Sequence, residues 1–407
     1  MFRVCKKFQI LTICEFQKLV LYFLTVMKFE FKKDKAICIS MMSGTSLDGV
    51  DAVLVSISND LKIEILGEFS LEYPSEIKSK LFELANNKGD VKDVCYMNFV
   101  VGEVFAKCAN LLLDKYKFKK EAVDFISSHG QTVFHIPKDT EIDGVKTKST
   151  LQIGDISVIS ERTGILTIGD FRTKDVAAGG LGAPLVPFAD EILFGKNEER
   201  AIQNIGGISN VTVLSSSIET FAFDNGPGNM LIDYAVKKYF DKPFDKGGEI
   251  ALKGIVDETW LEDLLDEPYY EIKPPKTTGR ELFNNKYIEK HLKNAPENPY
   301  DIVATLTYLT AKSIFDSYNN FVLPKVHIKE MVLGGGGAYN LALRKHLEEL
   351  FEGKIKILTH EDFYIPNKLK EAIAFALLGY FTLLEKPNNV KSCTGAKKNV
   401  VMGKISL

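Results

Sequence analysis

No Cys-x-x-Cys pair occurs in the sequence, whose six cysteines stand scattered at 5, 14, 38, 95, 108 and 393. No disulfide framework is implied, and a reducing cytoplasm is the expected setting. Histidine and cysteine do not cluster, which argues against a zinc site. Neither sign of charge dominates. A net charge of −3 removes the general electrostatic case for nucleic acid or an acidic membrane as partner. Long apolar runs are missing too. The best candidate, Leu19-Val-Leu-Tyr-Phe-Leu-Thr-Val26, follows Glu15, Gln17 and Lys18 and precedes no Ala-x-Ala-like cleavage site. It is too short and too broken to span a bilayer. Residues 1–29 read as an extension without a role, Met27 being the expected true start and a signal peptide or anchor the alternative. Low-complexity segments and long linkers are absent from the rest.

What is present suits a soluble globular protein. The 407 residues are 45% hydrophobic and 26% charged, enough for two domains or one large α/β unit. The most informative stretch is Gly44-Thr-Ser-Leu-Asp-Gly-Val-Asp51, set between the strand-like runs 36–42 and 50–57. It reads as the loop of a β-hairpin. Gly44 and Gly49 allow backbone amides to approach a phosphate closely. Thr45 and Ser46 add donors, and Asp48 or Asp51 offers oxygen to a divalent metal. The plain alternative is a surface hairpin with an Asp-Gly turn. A P-loop is excluded, because Val50-Asp51 stands where Lys-Ser or Lys-Thr is required and a strand, not a helix, follows.

Further along, strand 61–70 leads to helices near 75–87 and 93–116, then to the buried strand Val123–Ser127 and to Ser128-His-Gly-Gln-Thr132. The grammar then repeats. Ile165–Ile168 runs into Gly169-Asp-Phe-Arg172. Strands 201–205 and 211–214 flank Gly206-Gly-Ile-Ser-Asn210, and Asp224-Asn-Gly-Pro-Gly-Asn229 caps a helix over 230–239. A third glycine cluster, Gly334–Gly337, lies between strand 330–333 and helix 340–351, a good nucleotide platform. Two halves that each open on a small-residue hairpin predict α/β architecture with mixed sheets.

This plan resembles the superfamily of sugar kinases, heat-shock protein 70 and actin. Nine motifs in order resemble one family within it more closely, the 1,6-anhydro-N-acetylmuramic acid kinases. They are Met42–Asp51, Ser128–Thr132, Leu151–Asp155, Gly169–Arg172, Asp175–Pro184, Asn204–Asn210, Asp224–Asn229, Gly334–Ala338 and Glu371–Ala376. The resemblance runs from about 38 to 405 and leaves out only the first ~30 residues. It implies two ribonuclease H-like domains flanking an ATP cleft. The expected divisions are 30–155 with 399–406 as the first domain and 156–395 as the second. ATP would be held by Gly44, Thr45, Ser46, Leu47, Asp48, Gly49, Val50 and Asp51, by Gly206 and Gly207, and by Gly335 and Gly336.

The same resemblance implies Asp170 as general base, although an Asp after Gly at a strand end is also ordinary turn chemistry. It would take a proton from the water that opens the 1,6-anhydro bridge, and the freed O6 would accept phosphate from ATP. Arg172, on the same face if strand geometry continues, would hold the lactyl carboxylate or the phosphate, or a structural acid. His129, Gln131 and Glu371 are substrate candidates; a buried His is otherwise structural, and a first-turn Glu otherwise a dipole feature. Lys174, Lys246 and Arg280 are lesser anion candidates. Mg²⁺ is expected with ATP, on Asp48 or Asp51. The family is usually homodimeric, and the sequence itself neither supports nor opposes pairing. The rivals are a kinase for another sugar and an actin-like or chaperone-like ATPase. The second would need a polymerisation surface or peptide-binding domain that no segment here supplies.

Overall fold

Strand pairing builds two sheets on one plan. The computed structural model describes residues 33–407 except Thr45 and Arg280; the 1–29 extension and both of those residues lie outside the described set. In chain order the first part comprises β1 (Lys35–Met42), β2 (Gly49–Ser58), β3 (Ile63–Glu72), α1 (Ser75–Ala85), α2 (Val91–Tyr116), β4 (Phe125–Ser128), β5 (Gln131–Ile142), β6 (Val145–Ile153), α3 (Ile156–Thr163), β7 (Thr167–Gly169), α4 (Phe171–Ala177) and α5 (Val186–Leu193). The second comprises β8 (Arg200–Ile205), β9 (Ile208–Leu214), β10 (Phe221–Pro227), α6 (Met230–Phe240), α7 (Glu258–Leu265), α8 (Asn285–His291), α9 (Pro299–Ser317), β11 (Glu330–Gly334), α10 (Leu341–Leu350), β12 (Lys356–Thr359), α11 (Lys370–Leu383), α12 (Lys391–Thr394) and β13 (Lys404–Ser406).

The first sheet runs β13-β7-β4-β1-β2-β3 and the second β10-β9-β8-β11-β12. Counting only each sheet's first five strands in chain order of entry, both read 3-2-1-4-5, with an antiparallel opening hairpin and parallel pairing beyond it. That is the ribonuclease H-like arrangement, present twice, and the expected fold class is met. Met42 faces Asp51 across the first hairpin, so the 43–50 segment is its loop.

Both faces of the first sheet's centre are covered, which is why β1, β2 and β4 are mostly buried without alternation, whereas β3 at the edge alternates. On one face Met97, Val101, Phe105, Cys108 and Leu112 of α2 pack on Ile39, Met41, Ala52 and Leu54. A capping box between Asp90 and Asp93 starts α2. The other face carries Cys38, Val53, Val55 and Phe125 into a cluster shared with Ile202, Leu214 and Val332 of the second sheet. Helix α11 lies in that cluster and is buried almost all round, as expected of a helix without a polar stripe. The far face of the second sheet meets α9 and α10 through Val211, Met331, Ile314 and Leu343.

Three details differ from the sequence reading. The strand leading to Asp170 pairs with β4 and β13 in the first sheet, whereas the division at 155/156 grouped it with the second half. Residues 131–153 form a separate two-stranded sheet that polar, mostly exposed side chains had hidden. Strand geometry also stops at Gly169, so Arg172 belongs to a helix. No helix among the described residues is long and apolar enough to cross a membrane.

Close approach of α11 to β4 depends on Gly379. A Cβ there would lie 2.8 Å from Ser127 Oγ and 2.9 Å from Phe125 Cε2. Gly379→Val is expected to cost about 1–3 kcal/mol by overpacking, read as a lower urea midpoint at unchanged m-value.

Candidate active site

Asp170 stands where β7 ends and α4 begins, with a left-handed φ of 53°. Asp tolerates that region better than most residues because its short side chain bonds locally. The sharp turn presents the carboxylate to a cavity of about 320 Å³, lined also by Asn98, Ser128, His129, Asp155 and Lys404. Lys404 arrives through strand pairing: it lies opposite Gly169 in the β7–β13 ladder. Its Nζ is 2.5 Å from Asp170 Oδ2.

Behind Asp170 the first turn of α4 aims Arg172 inward. Its Nη1 donates to the Gly182 carbonyl at 2.8 Å, and its Nη2 lies 2.9 Å from His129 Nε2. Burial pushes the guanidinium down to about 10, and the Glu371 carboxylate opposes that shift. A guanidinium only donates. Nε2 of His129 is therefore the acceptor, the proton sits on Nδ1, and Nδ1 donates to the Ser43 carbonyl at 3.1 Å. Burial first, then the Arg172 charge, holds the imidazole down to about 3. His129 is thus a neutral, fixed tautomer joining α4 to the start of the hairpin loop.

Gln131, fully buried, grips the same loop. Its Nε2 donates to the Gly44 carbonyl at 3.1 Å, while Oε1 lies 2.6 Å from Ser43 Oγ. Ser43 Oγ is also 2.7 Å from the Gly49 carbonyl and accepts from Tyr73 Oη. Both ends of the loop are anchored. Between them Leu47 turns into the core with a φ of 58°, and Val50 is buried in β2. The loop carboxylates point outward, Asp48 Oδ1 to Lys78 Nζ at 2.5 Å and Asp51 Oδ1 to Ser70 Oγ at 2.5 Å. The Lys78 hydrogen bond holds Asp48 below the usual carboxylate range.

The other two glycine elements touch each other. Gly206 and Gly207 use their carbonyls to accept from Asn229 and Gly228, so the turn ahead of α6 braces this loop. Asn229 Nδ2 also donates to the Ile205 carbonyl at 3.1 Å. Gly335 has a φ of +75°, and a Cβ on it would sit 2.5 Å from that same Ile205 carbonyl. The side chain of Asn367 clamps Gly335 from above, Oδ1 accepting its N–H at 2.8 Å and Nδ2 donating to its carbonyl at 2.7 Å. The next residue, Lys368, reaches the first hairpin: its Nζ donates to Ser70 Oγ at 2.8 Å and lies 3.5 Å from Asp51 Oδ1. Glu371 follows in the first turn of α11, the one exposed residue of that turn.

Residues 36–407 match the family described as anhydro-N-acetylmuramic acid kinase. The chain is 46% identical over 390 residues to an anhydro-N-acetylmuramic acid kinase of Caldanaerobacter subterraneus subsp. tengcongensis, covering 93% of this chain and 98% of that one. A relative of the same description from Clostridioides difficile is 42% identical over 377 residues, covering 90% and 97%. The chain belongs to the anhydro-N-acetylmuramic acid kinase family. Among solved structures, the (R)-2-hydroxyglutaryl-CoA dehydratase component A of Acidaminococcus fermentans aligns with 86% of this chain and 99% of its own, at 13% identity and a TM-score of 0.44. That likeness adds nothing to the topology above.

For a member of this kinase family, the sequence candidates fall into two groups. Asp170, His129, Arg172 and Gln131 form one connected set with the hairpin loop 44–51; Gly206, Gly207, Gly335 and Gly336 form another. Sequence reasoning missed the residues that join or complete them: Ser43, Asn367, Lys368 and Lys404. Pro366-Asn367 ahead of an apolar helix is a helix-start signal that could have drawn attention to Asn367 and Lys368. Lys404 had no local signal, because its position comes from strand pairing across the whole chain. Among the described residues no group of three or more His, Cys, Asp or Glu side chains could hold a metal. The separate carboxylates Asp48 and Asp51 suit an ion that keeps several waters and arrives on phosphate.

The neutral state of His129 makes stability depend on pH. Its folded value near 3 lies below the ordinary 6.5, so the unfolded chain takes up a proton first as pH falls. The contribution is complete above about 6.5 and drains away toward about 3. Urea unfolding of His129→Gln is expected to lose about 1.4 kcal/mol per pH unit of slope against the unaltered protein in that window. Equal slopes would mean that the imidazole is charged in the fold.

Proposed function

We propose that this chain opens 1,6-anhydro-N-acetylmuramic acid with water and phosphorylates it from ATP. The products are N-acetylmuramic acid 6-phosphate and ADP, a step of cell-wall recycling in the cytoplasm. The observation that carries the reading is an aspartate lining a cavity of about 320 Å³, in a chain of this family. Asp170 accepts a proton from water as the water oxygen bonds to the anomeric carbon. The bond from that carbon to O6 breaks, and its electron pair stays on O6. O6 then bonds to the γ-phosphorus, the β,γ-bridge bond breaks, and ADP leaves with the bridging oxygen.

Each part of the chain has a task. The hairpin loop 44–51, Gly206 and Gly207 face the phosphates, and the turn at Gly335 and Gly336 takes the adenosine. Mg²⁺ comes with ATP, neutralises phosphate charge and meets Asp48 or Asp51. Glu371 lies on the sugar side, while Arg172, His129 and Gln131 hold loop and base in register. The two sheets and the helices packed on them close around both substrates and exclude bulk water. Pairing as a homodimer completes the reading.

Incubation with ATP, Mg²⁺ and the anhydro sugar in ¹⁸O-water, followed by mass spectrometry, is expected to yield a 6-phosphosugar labelled at C1. Absence of that product overturns the reading. Asp170→Asn is expected to lower kcat roughly 10²–10⁴-fold, the usual reach of a general base, with ATP binding spared; retained turnover would remove Asp170 from that role. Asn367→Ala frees the clamp on Gly335 and is expected to raise KM for ATP roughly tenfold, the size of one or two lost hydrogen bonds, at unchanged KM for the sugar.

A further inference from the structure

The sugar assigned above carries a lactyl carboxylate, and the cavity that receives it is already acidic. Asp170 and Asp155 both line it. An anion entering such a space needs a cation there, since a charge brought out of water without a partner is costly. Arg172, the sequence candidate for that role, does not line the cavity, and its two terminal nitrogens are engaged by Gly182 and His129. His129 is neutral. Among the described residues that line the cavity, Lys404 is the one with a permanent positive charge. Its side chain is 67% exposed, so it is free to swing.

We propose that Lys404 is the specificity residue for the acidic sugar: its ammonium moves off Asp170 and pairs with the lactyl carboxylate when the substrate binds. Without substrate the ammonium occupies Asp170 Oδ2 at 2.5 Å. The incoming carboxylate offers the ammonium an equivalent partner of the same charge. The exchange releases Asp170 to accept the proton of the attacking water. A neutral sugar of the same shape offers no such exchange and leaves the base engaged. No bond is made or broken in this step; one ion pair replaces another. The inference rests on the substrate assigned under the proposed function.

The test compares two sugars, 1,6-anhydro-N-acetylmuramic acid and its lactyl amide, with the unaltered enzyme, Lys404→Met and Lys404→Arg. The unaltered enzyme is expected to favour the acid over the amide roughly tenfold or more in kcat/KM, the scale of one charge-assisted contact. Lys404→Met is expected to bring that ratio near one, and Lys404→Arg to keep most of it, with KM for ATP unchanged in both. If Lys404→Met slows acid and amide by the same factor, the lysine serves only Asp170 and the proposal fails while the kinase reading stands. If the unaltered enzyme phosphorylates neither sugar, the kinase reading itself fails and takes this proposal with it. Binding of ATP, followed by calorimetry, separates either outcome from a failure of the variants to fold.

Discussion

Burial of α11 between the two sheets is the constraint on which the cleft depends. The helix has no polar stripe, so it is stable only where apolar surface covers it all round. Strands β1, β2 and β4 cover one side and α5 another, within an apolar cluster that also takes in Ile202, Leu214 and Val332 of the second sheet. Polar pins fix its axial position. Ser127 Oγ donates to the Phe375 carbonyl at 2.5 Å, and the buried Lys370 ammonium lies 2.7 Å from Asp190. Once α11 is fixed, the residues entering it are fixed as well. Within five positions, Asn367 holds the Gly335 turn, Lys368 reaches the hairpin strands, Lys370 ties α5, and the Glu371 carboxylate favours the charge of Arg172. One short segment thus carries the relative position of the glycine elements.

A second chain of contacts links Asp170 to the hairpin loop. Desolvating a guanidinium is costly, and Arg172 offsets this with a carbonyl and an imidazole rather than with a carboxylate in contact. The imidazole must then be neutral, and its only remaining proton is aimed at the Ser43 carbonyl. The donor pattern allows one tautomer. A charged His129 would face Arg172 across 2.9 Å, an arrangement of like charges that the interior would not hold. The buried groups near the cavity are therefore mostly spent on each other. They set the position of Asp170 relative to the hairpin loop.

Much of this was legible in the sequence, and the reasons for the exceptions are physical. The central strands of the first sheet announce themselves because both faces are buried, which gives mostly apolar runs such as 36–42 and 50–57. The hairpin at 44–51 was legible from its small residues, and the fold class from the repetition of that grammar. The β5–β6 ribbon was not, because its outer half is solvated on both faces and shows no period. Arg172 was misplaced because Asp170 takes a left-handed conformation, and nothing in Gly169-Asp-Phe-Arg172 declares where a strand gives way to a helix. Lys404 was invisible for a different reason. Its partner is 234 positions away (404 minus 170), and only the antiparallel addition of β13 brings the two together.

The missing lysine of the hairpin loop has a counterpart in this pattern. Four aspartates around the cleft are each paired with a lysine from another segment: Asp48 with Lys78, Asp51 with Lys368, Asp170 with Lys404 and Asp190 with Lys370. Exposure sorts them. The lysines of the first three pairs are 47%, 61% and 67% exposed, whereas Lys370 and Asp190 are 9% and 2%. Solvated pairs contribute little to stability, about 0–1 kcal/mol, so a ligand carrying its own charge can displace one partner at small cost. A buried pair cannot be opened that way, since the group left behind would be an uncompensated charge in the interior. The exposed pairs are consequently suited to exchange with phosphate, metal or substrate carboxylate. The buried pair is suited to hold α11 still while they do so. Positive charge that a P-loop would keep within its own sequence is here distributed over three distant segments: Lys78 on α1, Lys368 just ahead of α11, and Lys404 on β13.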